Sequence, residues 1–151
     1  KGKSKFNYVS SNPSYSGLKK RDYDREGEVD EQIEVSVDLI DEVIPREIDI
    51  DLIKIDVEGA ELLVLKGAIE LIRRCKPIIV FEHGLGASDV YGSTPGQLFE
   101  FLDQAGLKVS TMGRFLSGKP PFTKEDFDLQ YFDRLNYYFV AYPDLSSGVE
   151  K

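Results

Sequence analysis

The run Asp51-Leu52-Ile53-Lys54-Ile55-Asp56-Val57-Glu58-Gly59-Ala60-Glu61 constrains the fold more than any other part of the chain. It reads as an apolar strand that ends in carboxylates and turns straight into a helix. In open α/β sheets ligands sit just beyond the carboxyl ends of the strands, so acids placed there face a candidate site. The helix is expected over Gly59 to Arg74. At 3.6 residues per turn, Ala60, Val64, Leu65, Ala68, Ile69, Leu71, Ile72 and Cys75 share one broad face. Glu61 projects from that apolar face in the first turn, which makes it either the rim of a cleft or an error of patterning.

A second apolar run, Pro77-Ile78-Ile79-Val80-Phe81-Glu82, follows. Strand, helix and strand in that order form a βαβ unit with a right-handed crossover. Nearly continuous apolar strands are expected to be covered on both faces of a parallel sheet. The fold class is therefore α/β. Upstream, Phe6, Tyr8 and Val9 alternate as a short strand, Ser10 to Ser14 is a turn, and Leu18 to Gln32 is a loop. Ile33, Val35 and Val37 alternate as another strand, followed by a helical turn from Asp38 to Ile44 that stops at Pro45.

Downstream, Thr94, Pro95 and Gln97 mark a capped helix start, and Gly106 marks its end. Leu107 to Met112 reads as a strand, Gly113 to Asp133 as loop around Pro120-Pro121, and Leu135 to Tyr142 as a closing strand. The organisation expected is an N-terminal hairpin and loop region (1–32), a main α/β part (33–143) and a frayed tail (144–151).

Composition narrows the function classes. A net charge of −8 over 151 residues argues against a nucleic-acid partner, because phosphate backbones are held by clustered Lys and Arg. The one sizeable basic cluster, Lys19-Lys20-Arg21, is followed at once by Asp22, Asp24 and Glu26 and reads as a solvated loop. No apolar run is long enough to span a membrane. The single cysteine, Cys75, excludes an internal disulfide and fits a buried structural thiol in a reducing, cytoplasmic setting.

Asp56 and Glu58 are the leading acids for chemistry. Near the positive end of the next helix they are placed for ligand hydroxyls, a cation or a proton. Taken singly, Asp56 reads equally as a helix cap, and Glu58 and Glu61 as partners of the helix dipole. Together with Glu82 they read as a site, with Gly59 letting the backbone pass close beside it. Lys54, inside the apolar strand, needs one of these acids as a partner or must reach outward. His83, the only histidine, directly follows Glu82 and reads either as a general base or as a plain loop residue. One histidine and one cysteine argue against zinc, and no ligand-spacing motif supports magnesium or calcium, so no metal is assigned. Gly84-Leu85-Gly86 is not a phosphate-cradling loop, since Asp89 stands where the third glycine belongs and the next helix begins only near Pro95.

The ordered set from Asp51 to Glu61, then Val64-Leu65-Lys66-Gly67-Ala68 and Pro77 to Glu82, closely resembles the FkbM family of methyltransferases. Gly2 to Leu18, Val37 to Val43, Thr94 to Gly106 and Leu135 to Pro143 resemble family segments as well, although Leu39 stands where a threonine is more usual. The resemblance implies the Rossmann-like fold of class I methyltransferases, mostly parallel with an antiparallel closing strand. It implies S-adenosylmethionine as donor and an oxygen of a small molecule or sugar as acceptor. By the same resemblance, Asp56, Val57 and Glu58 lie beside the donor's methionine end, and Glu82 and His83 line the acceptor side. Which acid removes the acceptor proton stays open.

The family's glycine-rich first strand–turn–helix and its ribose-holding acid have no counterpart in these residues. The chain is therefore expected to be the C-terminal portion of the domain, with strand 51–57 left as an apolar edge open to self-association. An interaction module acting through that edge is the competing expectation, and a metal-dependent hydrolase built on the acid cluster is a third.

Overall fold

The structure, a computed structural model, describes residues 1–23 and 25–144. Beyond Asp144, the expected tail lies outside the described residues. Two sheets are present. Strands β1 (Gly2–Val9) and β2 (Asp30–Val37) form an antiparallel pair, in which Gly2 faces Val37 and Val9 faces Asp30. The boundary expected at residues 32 and 33 falls inside β2. A short 3₁₀ turn at Pro13–Tyr15 follows β1, and Asn7 pairs back with Gly17.

The second sheet holds β3 (Leu52–Ile55), β4 (Ile78–Glu82), β5 (Leu107–Ser110) and β6 (Tyr138–Pro143), in the order β3-β4-β6-β5. β3 pairs parallel with β4, and β6 pairs antiparallel with both β4 and β5. Hence β3, β4 and β5 point the same way, and β6 runs against them. The molecule is a mixed α/β fold with a mixed four-stranded sheet.

Six α-helices complete the described fold: α1 (Ile40–Val43), α2 (Glu61–Lys66), α3 (Ile69–Cys75), α4 (Pro95–Gln104), α5 (Met112–Leu116) and α6 (Lys124–Phe132). The core joins Ile55, Ile79, Phe81, Phe139, Ala141 and Val109 of the sheet to Leu65, Ile72, Leu98, Leu102 and Phe127 of the helices. With a side-chain period of two, those sheet residues share one face, and α2, α3, α4 and α6 cover it.

Three expectations are corrected. The helix expected over Gly59 to Arg74 is broken at Gly67-Ala68, and the cause is Asp41. Its backbone N–H donates to the Gly67 carbonyl at 3.0 Å. Its carboxylate accepts from the Glu70 and Leu71 N–H groups at 3.0 and 2.8 Å, capping a new helix start. Secondly, Gly113–Asp133 is not loop. Thr123 and Asp126 form a reciprocal capping box that starts α6, and Phe127 and Tyr131, one turn apart, anchor it in the core.

The third correction concerns β3, which is not covered on both faces. It is one of the two outer strands of the sheet. Leu52 is 62% exposed, only Ile55 is buried, and Lys54 extends outward to pair with Asp56 at 2.7 Å. The expected capping box at Thr94 and Gln97 is present, with Pro95 at the first turn. Cys75 is half-buried, its Sγ 3.5 Å from the Ile50 N–H group.

Replacing Asp41 by Ala removes both bonds to the start of α3. Unfolding in urea should show a loss of about 1–2 kcal/mol, whereas an unchanged midpoint would mean that Gly67 alone sets the break.

Candidate active site

The carboxyl ends of β3 and β4 lie side by side, because the two strands are parallel neighbours. The chain leaves β3 through a left-handed turn, with φ of 53° at Glu58 and 103° at Gly59. Glutamate in this region is uncommon and carries strain of about 1 kcal/mol or more. Gly59 is required for a second reason. A Cβ there would stand 2.3 Å from the Ala87 carbonyl oxygen, so the loop after β4 rests directly on this backbone. That loop is self-bonded: Ser88 Oγ donates to the Gly84 carbonyl at 2.9 Å, and the Gly86 N–H donates to Asp89 at 2.7 Å. The missing side chain of Gly84 makes room for the Tyr137 ring.

Two adjoining clefts open at this end. The larger, of about 530 Å³, is lined by Glu58, Glu61, Glu82 and His83 together with Tyr15, Arg21, Arg134, Tyr137 and Tyr138. The other, of about 460 Å³, is lined by Asp56, Val57 and Glu58 together with Leu18, Ala60 and Val64. Both volumes suit small-molecule binding. The structure thus brings Glu58, Glu82 and His83 together in one cleft and Asp56 and Val57 into the next, with Glu58 shared between them.

Electrostatics differ sharply across the group. Glu58 pairs with Arg21 at 2.7 Å. Burial nevertheless raises its pKa, Arg21 opposes that rise, and repulsion from Glu82 and Asp56 adds to it. Glu61 is only 1% exposed, and its Oε1 accepts from the Gly59 N–H at 2.8 Å. Burial raises its pKa too, against the pull of the Gly59 and Glu61 backbone N–H groups. The pattern-breaking acid of the helix therefore stands in the cleft wall. Tyr138 lies opposite Glu82 in the β4–β6 register and is hydrogen-bonded to it, and the neighbouring carboxylate raises the phenol's pKa.

His83 is not a loop residue in water. It is 2% exposed, stacks on Phe127 with ring centroids 5.9 Å apart, and tilts over Tyr131 at 5.0 Å. Burial lowers its pKa to about 4. At neutral pH it is an uncharged imidazole with one donor and one acceptor nitrogen, which suits hydrogen bonding better than proton storage.

Arg21 was not legible as a site residue. Instead of being solvated with Lys19 and Lys20, it has a side chain only 16% exposed, with its guanidinium 4.8 Å from the Tyr15 ring centre. Lys19 anchors the same segment through the Val90 carbonyl and the Tyr91 ring. No sequence pattern distinguishes Arg21 from its basic neighbours. The Tyr137-Tyr138 pair beside the closing strand was a readable signal for an aromatic cleft wall. Among the described residues, no group of three or more His, Cys, Asp or Glu side chains is placed to hold a metal ion. No helix among them is long and apolar enough to cross a membrane.

Acids at the ends of parallel strands thus stand beside a glycine turn and two adjoining clefts. In comparison with protein families, the methyltransferase FkbM domain matches residues 1–109. The chain belongs to the FkbM methyltransferase domain family. Comparisons with curated proteins and with solved structures give no match.

The depressed basicity of His83 has a consequence for stability. Below pH 6.5 the unfolded chain protonates this imidazole, while the folded chain does so only near pH 4. Stability from this group is therefore complete above pH 6.5 and is lost as pH falls towards 4, by about 3 kcal/mol. Glu58 and Glu61, with raised values, act in the opposite sense. Urea unfolding at pH 7 and pH 4 should accordingly show wild type losing about 3 kcal/mol more than His83→Phe. Equal losses would show that the imidazole titrates normally.

Proposed function

We propose that the chain is part of an S-adenosylmethionine-dependent methyltransferase that methylates an oxygen of a small molecule or sugar. The observation carrying this reading is the shared position of Glu58, which borders both clefts and so marks where two ligands would meet. The cleft at Asp56 and Val57 is assigned to the donor. Its carboxylates suit the ammonium of a methionine end, and Val57, Val64 and Leu18 supply apolar lining. Bound there, the donor would supply an activated methyl group. The cleft at Glu82 and His83 is assigned to the acceptor, with Tyr137 and Tyr138 as aromatic walls.

The protein's part in such a transfer is mainly to hold the acceptor oxygen in line and keep water away. The Arg21–Glu58 pair fixes the carboxylate between the clefts. Three strands pointing one way, with β6 inserted against them, support a Rossmann-like arrangement. The glycine-rich turn and ribose-holding acid that the resemblance expects on the donor side are not among these residues.

A second reading is favoured by β3 itself. Its outer position, the exposure of Leu52, and a largely apolar groove lined by Ile40, Val43, Ile50 and Leu52 suit association with another strand, including that of a second copy. Calorimetric titration of S-adenosylmethionine and S-adenosylhomocysteine, with light scattering on the same sample, separates the two. The methyltransferase reading expects saturable binding, weakened about tenfold or more by Asp56→Ala. A folded sample that assembles yet binds neither compound would favour the strand-edge reading instead.

A further inference from the structure

One short segment walls both clefts. Ser16, Gly17 and Leu18 line the smaller, and Tyr15, Arg21 and Asp22 line the larger. Its two halves are fastened differently. Asn7 and Gly17 exchange backbone hydrogen bonds of 2.8 and 3.1 Å, and the Lys19 N–H donates to the Tyr91 hydroxyl at 3.0 Å. Lys19 Nζ adds a bond of 3.1 Å to the Val90 carbonyl. Beyond Lys19, among the described residues, no backbone hydrogen bond holds Lys20, Arg21 or Asp22. Lys20 reaches out to Asp30 of β2 at 2.8 Å. The tie from these three residues to the body of the larger sheet is the 2.7 Å pair between Arg21 and Glu58.

That pair stands where the clefts meet, since Glu58 borders both. Glu58 is fixed in the left-handed turn before Gly59. Arg21 can move, and its guanidinium lies 4.8 Å from the Tyr15 ring centre, within its own segment. Backbone bonds at Gly17 and Lys19 survive loss of a side-chain charge, whereas the hold on residues 20–22 does not. Segments held by so few contacts open well before the core. We infer that residues 20–22 are a gate between the two clefts, hinged at Lys19 on Tyr91 and latched by Arg21 on Glu58. Its purpose rests on the methyltransferase reading: two ligands that react must touch, so the wall between them has to yield. Closed, the latch keeps each ligand in its own cleft. Open, it joins the clefts at Glu58.

Nuclear magnetic relaxation of the backbone amides tests the latch on the whole chain. In the wild type, residues 20–22 should be nearly as rigid as β4, with order parameters of about 0.8 or above. Arg21→Gln and Glu58→Gln should each lower them below about 0.6. The double variant should go no lower than either, because both changes remove one and the same bond. Gly17 and Lys19, on the hinge side, should keep their values. The gate itself is read at the Gly59 amide, which donates to Glu61 at 2.8 Å inside the larger cleft. Its hydrogen exchange should quicken about tenfold in Arg21→Gln, while Ile79 and Phe81 of β4 stay unchanged. Residues 20–22 already flexible in the wild type, additive losses in the double variant, or an unmoved Gly59 would each overturn the gate. Should Glu58→Gln fail to fold, wild type and Arg21→Gln decide alone. S-adenosylhomocysteine, followed at the Val57 amide, tests the methyltransferase reading separately. If it has no effect while the latch and Gly59 behave as expected, that reading fails and the gate between the clefts stands.

Discussion

The close backbone contact between Gly59 and Ala87 is the constraint on which the rest of the site depends. It lets the turn leaving β3 and the loop leaving β4 share one space, and no other residue type fits at position 59. That turn places Glu58 between the two clefts and starts α2 at Glu61, so that a carboxylate of the helix's apolar face lands in a cleft wall rather than in the core. From the other side, the loop turns His83 inward onto Phe127 and Tyr131. Local strain at Glu58 is held by surrounding structure, as is common where a chain builds a binding site.

Charge is distributed accordingly. The chain is strongly acidic, yet the cleft joins Arg21 and Arg134 to the carboxylates of Glu58, Glu61 and Glu82. Burial governs Glu58, Glu61 and His83, pushing each towards its neutral form. Only Glu58 among these three has a cation bonded to it.

Much of this was legible in the residues. The run from Asp51 to Glu61 fixes strand, turn and helix start by period and by glycine, and Pro77 to Glu82 fixes the neighbouring strand. That the acids at their ends lie near one another was readable because strand direction alone places them together. What sequence could not give was the surroundings. The edge position of β3 was legible from the resemblance, whereas the exposure of Leu52 was not, because β3 has the composition of a covered strand. The split of the long helix depends on Asp41, which is remote in the chain from Glu70. α6 was hidden by Pro120-Pro121 and by an apolar stripe of just two buried residues, although Thr123 and Asp126 carried its capping signal. Arg21 gave no local sign at all, since its partners are Tyr15 and Glu58.

The Gly59–Ala87 contact thus organises both clefts. Hydrogen exchange on Gly59→Ala tests it most directly. The added methyl, in a left-handed turn and against a carbonyl, should cost at least about 2 kcal/mol. Amide protection should then fall chiefly over residues 56–61 and 83–93, with β4 and α4 keeping theirs. Unchanged protection in those two loops, or an even loss across the whole chain, would contradict the claim.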